Sequence, residues 1–146
     1  MYKEVLLDHY KNPRNKRKLP GAELQCHANI PLCGDELTVF AHLDGETLAE
    51  VTFQGRGCSI CLSSASMMTE AVTGASVDAA KAMVARFRGM MAGKVDPDEE
   101  SLGNLVAFKE VMQYPIRIKC AVLAWDALQN ALASTGEASG APHRAI

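Results

Sequence analysis

The stretch Glu36-Leu37-Thr38-Val39-Phe40-Ala41-His42-Leu43-Asp44-Gly45-Glu46-Thr47-Leu48-Ala49-Glu50-Val51-Thr52-Phe53-Gln54 decides the fold. Leu37, Val39, Ala41 and Leu43 alternate with Glu36, Thr38, Phe40 and His42, the period of two that marks a strand with one buried face. Asp44-Gly45 is a strong turn signal. Ala49, Val51 and Phe53 then alternate with Leu48, Glu50, Thr52 and Gln54, which predicts the return strand. The centre of the chain is therefore an antiparallel hairpin.

Outward from the hairpin the period changes. Gly55-Arg56-Gly57 breaks the second strand. From Ser59 to about Thr73 the pattern is helical, with Leu62, Ala65, Met68 and Val72 along one side and Gly74 as a C-terminal cap. Ser76 caps a second helix carrying Ala80, Met83, Val84, Phe87 and Met91. An acidic run, Asp96 to Glu100, precedes a helix expected from Ser101 to about Gln113. Pro115 suits the first turn of a last helix running to about Ala133. On the other side, Cys26 to Ile30 offers a third strand. Tyr2, Val5, Leu6, His9 and Tyr10 follow helical spacing up to Asn12, where Pro13 ends the helix. The order predicts an α+β fold: a small three-stranded antiparallel sheet packed with about five to six helices. One domain is expected over residues 1–133. The Gly-, Ala- and Ser-rich segment 134–146 is expected to be a disordered tail.

Bulk properties narrow the function. A chain of 146 residues with 48% hydrophobic and 22% charged residues fits one globular domain with a core of its own. A formal charge of −2 gives no footprint for nucleic acid or an acidic membrane. Lys11, Arg14, Lys16, Arg17 and Lys18 cluster without stacking aromatics, so they read as a solvated or protein-docking surface. The start, Met-Tyr-Lys-Glu, leads into no apolar secretory region, and no apolar run approaches the roughly 18 residues that span a bilayer. A cytoplasmic protein is expected. Its five cysteines then read as metal ligands or reactive thiols, because cytosolic thiols are kept reduced.

Three of them sit beside turns or helix starts. Cys33 lies in Pro31-Leu32-Cys33-Gly34-Asp35, where Gly34 lets a thiolate and a carboxylate two residues apart face one point. Cys58 stands between the return strand and a helix, at the positive end of the helix dipole. Cys120 falls in the first turns of the last helix. Cys33, Asp35, Cys58 and Cys120 thus form a candidate ligand set suited to Zn²⁺, although thiolate-rich sites also take iron–sulfur clusters. The wide spacing is unlike a zinc finger and implies a metal that joins three separate elements. Three thiolates and one carboxylate leave zinc overcompensated; Arg56, Arg117 and Lys119 are close enough in sequence to offset the excess, although each taken singly reads as a solvated surface charge.

Other residues carry competing readings. Cys58-Ser59-Ile60-Cys61 has the spacing of a redox dithiol, but a hairpin precedes it where a thioredoxin-like motif wants a βαβ unit. Cys61 is otherwise an alternative ligand or a spare thiol. Cys26 and His27 are adjacent, so in an extended segment they point apart and play no joint role. His9 reads as a core-edge histidine, and Met67, Met68, Met83, Met90 and Met91 read as packing.

Together, Asp8-His9-Tyr10-Lys11-Asn12-Pro13-Arg14-Asn15, Cys33-Gly34-Asp35, Gly57-Cys58-Ser59-Ile60, Ser64-Ala65-Ser66-Met67-Met68-Thr69 and Ile118-Lys119-Cys120 resemble the iron–sulfur cluster assembly proteins of the IscU/NifU N-terminal family. The resemblance spans about residues 1–133. It is closer to the SufU type, because Lys119 stands before Cys120 where IscU proteins typically carry histidine, and because the segment between Cys58 and Cys120 is long. Cys61 departs from the type, which usually has serine there. The resemblance implies a zinc site of Cys33, Asp35, Cys58 and Cys120. It also implies that Cys33 accepts persulfide sulfur from a SufS-type cysteine desulfurase, whose docking supplies a replacement ligand and frees Cys33. The sulfur would pass to a SufBCD-type scaffold, so the protein is at most a sulfurtransferase acting with the desulfurase. The competing implication is a scaffold that assembles and transfers a [2Fe–2S] cluster, with iron in place of zinc. A purely structural zinc domain and a dithiol oxidoreductase are the remaining alternatives.

Overall fold

The computed structural model describes residues 2–133. Helix α1 spans Tyr2–Lys11, and strands β1 (Leu24–Ile30), β2 (Asp35–Asp44) and β3 (Thr47–Arg56) form an antiparallel sheet in the order β1-β2-β3. Helices α2 (Ser59–Val72), α3 (Val77–Met91), the short α4 (Glu99–Leu102), a 3-10 segment (Gly103–Gln113) and α5 (Pro115–Ala133) follow. This is the α+β architecture read from the sequence. The tail expected over 134–146 lies outside the described residues.

Cross-strand register puts the apolar positions on one face. Leu24, Cys26 and Ala28 pair with Ala41, Val39 and Leu37, and Ala41 and Val39 pair onward with Val51 and Phe53. All eight are buried. Helix α5 lies across β1 and β2 and also packs on α2 and α3. Beneath it Trp125 stacks on Phe87 at 4.6 Å and 16°, and Phe108 meets Phe87 edge-on at 5.6 Å. Ser64 on α2 accepts from Trp125 Nε1 (3.1 Å) and donates to the Ala121 carbonyl, so the indole N–H is satisfied inside the core. Met67, Met68, Met90 and Met91 are core residues and Met83 packs against them, as expected.

Two local expectations need correcting. In β3 the inner face was expected to hold Ala49, but Ala49 is exposed and Leu48 is fully buried. The register shifts between His42 and Leu43: His42 pairs with Glu50 and Leu43 with Leu48, so Ala49 is an extra residue. Such a bulge reverses the alternation beyond it. Leu48 is held there by main-chain hydrogen bonds to Ala75 and Gly74 in the α2–α3 connection. The second correction concerns the helix expected from Ser101. An α-turn capped by Asp98 starts at Glu99 and ends at Leu102, and a 3-10 segment continues from Gly103. Leu105, Val106, Ala107 and Phe108 are buried consecutively. The 3-10 run is longer than the usual three or four residues.

Candidate metal centre

Asp35 opens β2 and pairs with Ile30 at the end of β1. In the turn between them, the N–H groups of Cys33 and Gly34 both donate to the Ile30 carbonyl, at 3.1 and 3.0 Å. Gly34 has φ +74°, which glycine adopts without strain. The turn leaves Leu32 and Cys33 exposed while Asp35 is 4% exposed. Cys58 is the N-cap of α2, in extended conformation, and its sulfur accepts from the Cys61 N–H at 3.4 Å. Its own N–H donates to Asp35 Oδ1 at 3.3 Å. Helix α5 brings in the third donor, Cys120, which is buried in the second turn.

The sulfurs of Cys58 and Cys120 and a carboxylate oxygen of Asp35 lie within 4.8 Å of one another. Asp35 Oδ2 is buried and has no hydrogen-bond partner among the described residues. An unsatisfied carboxylate oxygen is costly to bury, and a cation among the three donors removes that cost. Thiolates on one tetrahedral Zn²⁺ stand about 3.8 Å apart, given metal–sulfur bonds of roughly 2.3 Å. The three donors are therefore close to the spacing the ion needs, and their chemistry fits it.

The local electrostatics point the same way. Burial, then the neighbouring Cys58 and Asp35, push the Cys120 thiol far above its ordinary range. Burial, then the charges of Asp35 and Cys58, do the same to Cys61. Without a cation the pocket resists thiolate formation, and a bound divalent ion reverses that logic.

Of the four expected ligands, the structure brings three together. Cys33 is not in the trio and stands on its exposed turn. Cys61 is fully buried one helical turn from Cys58 and is also outside the trio. Arg56, Arg117 and Lys119 are all exposed, as solvated surface charges are. Arg56 faces Glu36 at 3.7 Å. Arg117 lies over the Tyr114 ring at 5.0 Å and lines a groove of about 380 Å³ with Leu6, Tyr10, Ile60 and Val111. Lys119 lines a smaller hollow, about 180 Å³, beside Ile30 and Leu32. Cys26 faces the core while His27 is exposed and contacts Thr38, so they point apart as expected.

Sequence reasoning missed Gly57 as a site residue. A Cβ there would stand 2.9 Å from Cys61 Sγ and 3.2 Å from Asp35 Cγ, so only glycine lets the chain pass this close. Its place directly before Cys58, within the Gly57-Cys58-Ser59-Ile60 motif, was the available signal, but from the residues it was read as a strand breaker.

Comparison with known proteins adds the following. The model of the family described as the NifU-like N terminal domain matches residues 1–121. A Bacillus subtilis (strain 168) protein named zinc-dependent sulfurtransferase SufU is 43% identical over 91% of this chain and 90% of its own length. A Streptococcus pyogenes serotype M1 protein named iron–sulfur cluster assembly scaffold protein IscU is 36% identical over 94% of this chain and 86% of its own. The crystal structure of a putative iron–sulfur cluster assembly scaffold protein for the SUF system from Fervidobacterium islandicum AW-1 superposes with a TM-score of 0.83. It is 33% identical, over 88% of this chain and 94% of that one.

Proposed function

From the premise that this chain belongs to the NifU-like N-terminal domain family and is an iron–sulfur cluster assembly protein, we propose that it is a zinc-dependent sulfur relay. In this reading Asp35, Cys58 and Cys120 would hold the metal, with Cys33 as its fourth donor and as the thiol that reacts. Bound zinc supplies a positive charge that keeps its ligand thiols deprotonated. The sulfur of Cys33 attacks the outer sulfur of a persulfide on a SufS-type cysteine desulfurase. A new S–S bond forms at Cys33, the partner's S–S bond breaks, and the partner's cysteine departs as a thiolate. Cys33 then yields the sulfur to a SufBCD-type scaffold.

One observation carries the division of labour. Three donors converge with Cys33 outside them, and Cys33 stands on an exposed turn that a partner can reach. The relative named as a zinc-dependent sulfurtransferase supports the same reading.

A [2Fe–2S] scaffold is the second reading, favoured by the relative named IscU and by Asp35, a hard ligand that eases release of a soft-ligand cluster. Against it stands Lys119, whose ammonium cannot ligate beside Cys120. The test combines metal analysis of the purified protein with mass spectrometry after incubation with desulfurase and cysteine. The relay predicts one zinc per chain and one added sulfur that Cys33→Ser abolishes. Added sulfur persisting in Cys33→Ser, or a brown iron-loaded preparation, would overturn it.

A further inference from the structure

Helices α1, α2 and α3 and the 3-10 segment close a hollow of about 340 Å³ that no residue of the sulfur-rich centre lines. His9 of α1 borders it and is 5% exposed. Ser66 Oγ meets both the Arg14 N–H and His9 Nδ1 at 2.8 Å, so one edge of the ring is fixed. The other edge, Nε2, faces Glu70 Oε1 at 3.6 Å, and Glu70 lines the same hollow. That separation is too long for a hydrogen bond. It is close to the spacing of two ligands on one ion, because atoms about 2.1 Å from a tetrahedral metal stand about 3.4 Å apart. A buried imidazole thus turns an unbonded nitrogen toward a carboxylate. Arg14 lies 4.0 Å from the second Glu70 oxygen, but Asp8 holds it at 2.6 Å. With His9 neutral, Arg14, Asp8 and Glu70 together leave one negative charge, which a cation offsets. Burial first, then Arg14, lower the His9 pKa and favour the neutral ring, the form that ligates metals.

We propose that His9 and Glu70 form a second metal site, which takes a divalent first-row ion between one imidazole nitrogen and one carboxylate. Imidazole suits zinc, iron, nickel and copper alike. Asn104 lines the hollow and offers an amide oxygen, and water fills the remaining positions. Met67, Met83, Leu102 and Leu105 make the walls apolar, which strengthens the attraction between ion and carboxylate. To bind the ion the ring changes tautomer. Nδ1 takes the proton and donates to Ser66 Oγ, and Nε2 presents its lone pair. The hydroxyl oxygen has two lone pairs, so it accepts this bond beside the one from Arg14. No net proton is gained or lost. A ligating histidine is commonly held through its other ring N–H in this way. The ion would tie α1 to α2 and draw in Asn104, from the long segment between Cys58 and Cys120 that the sulfur-rich centre leaves without a task. The site uses none of Cys33, Asp35, Cys58 and Cys120, so it stands apart from the sulfur relay.

The experiment uses Co²⁺ as the probe on the full, untagged chain, supplied beforehand with one equivalent of zinc. Uptake is measured by equilibrium dialysis, and the proton NMR spectrum is searched for hyperfine-shifted resonances. Cobalt that displaces zinc from the sulfur-rich centre gives intense thiolate charge-transfer bands and is counted separately. The wild type should take up one further cobalt without those bands, and one exchangeable imidazole N–H should shift far downfield. His9→Gln should lose that resonance and roughly tenfold or more in affinity. Glu70→Gln should lose affinity to a similar degree while its fold persists, because the Glu70 side chain is 51% exposed. Binding in Glu70→Gln equal to the wild type would overturn the proposal, however His9→Gln behaves. So would a wild type that takes up no cobalt outside the thiolate bands, or a shifted imidazole resonance that survives in His9→Gln.

Discussion

At the scale of single residues, the centre depends on what is absent as much as on its donors. Gly57 has no side chain, and the space where a Cβ would stand touches both Cys61 Sγ and Asp35 Cγ. Alanine there must displace one of them. The Cys61 sulfur can swing away about χ1, but its Cβ, 3.0 Å from the same point, cannot, so the strain falls on the start of α2 at Cys58 and on the Asp35 carboxyl. Groups that orient a ligand typically govern metal affinity by ten- to a hundredfold. Gly57→Ala is therefore expected to weaken zinc by that factor, measured by competition with a chromophoric chelator. Affinity equal to the wild type would show that the neighbours relax without disturbing the donors. Periodicity read Gly57 as a break in a strand, because close approach between side chains distant in sequence leaves no mark on a periodic pattern. The donors were more legible. Cys33-Gly34-Asp35, Cys58 and Cys120 each stand beside a turn or helix start, and thiol and carboxylate chemistry is carried by residue type alone. What spacing could not reveal is that Gly34 turns Cys33 outward while Asp35 faces in.

Among the elements, the joint between α1 and α2 is built from polar groups. Ser63 donates to the Leu6 carbonyl at 2.9 Å, and Asn15 Nδ2 donates to Thr69 Oγ1 at 3.0 Å. The Arg14 N–H donates to Ser66 Oγ at 2.8 Å, which leaves that hydroxyl free to donate to His9 Nδ1, also at 2.8 Å. His9 is 5% exposed. Burial first, then the nearby Arg14 charge, lower its pKa, against the weaker pull of Glu70 and Asp8. The folded protein thus binds fewer protons at His9 than the unfolded chain does. Its contribution is fully present above the ordinary histidine value near 6.5 and is lost as pH falls through the lower folded value. Urea unfolding at pH 5.5 and 7.5 should show the wild type less stable at the lower pH, and His9→Gln should shrink the difference. An unchanged difference would place the sensitivity elsewhere. Elements with a clean period were readable: α1, α2 and α5 end within two residues of their expected bounds, and Ser76 caps α3 as expected. The bulge at Ala49 and the 3-10 segment were not. Each is imposed by neighbours, Leu48 by the α2–α3 connection and Leu105 to Phe108 by burial on all sides, and tertiary packing overrides local pattern.

For the molecule as a whole, the centre is a clasp. Asp35 belongs to the start of β2, Cys58 to the cap of α2 and Cys120 to α5, so an ion held by the three would join the sheet to both helices that cover it. The unfolded chain cannot present donors so far apart in sequence as one site, so metal binding adds to folding stability by mass action. At a free zinc concentration a hundred times the dissociation constant, the gain is about 2.7 kcal/mol. The single tryptophan, Trp125, lies in α5 against α3, one turn beyond Cys120, and its fluorescence reports the unfolding of this unit. Stripping the metal with a chelator should therefore lower the urea midpoint of the wild type by an amount that grows with the zinc present beforehand. Cys58→Ser should start near the stripped value and respond little to the chelator, because the clasp is already open. If chelation lowered both proteins equally, the ion would be bound elsewhere. If it lowered neither, these three elements would be held together by their apolar contacts alone.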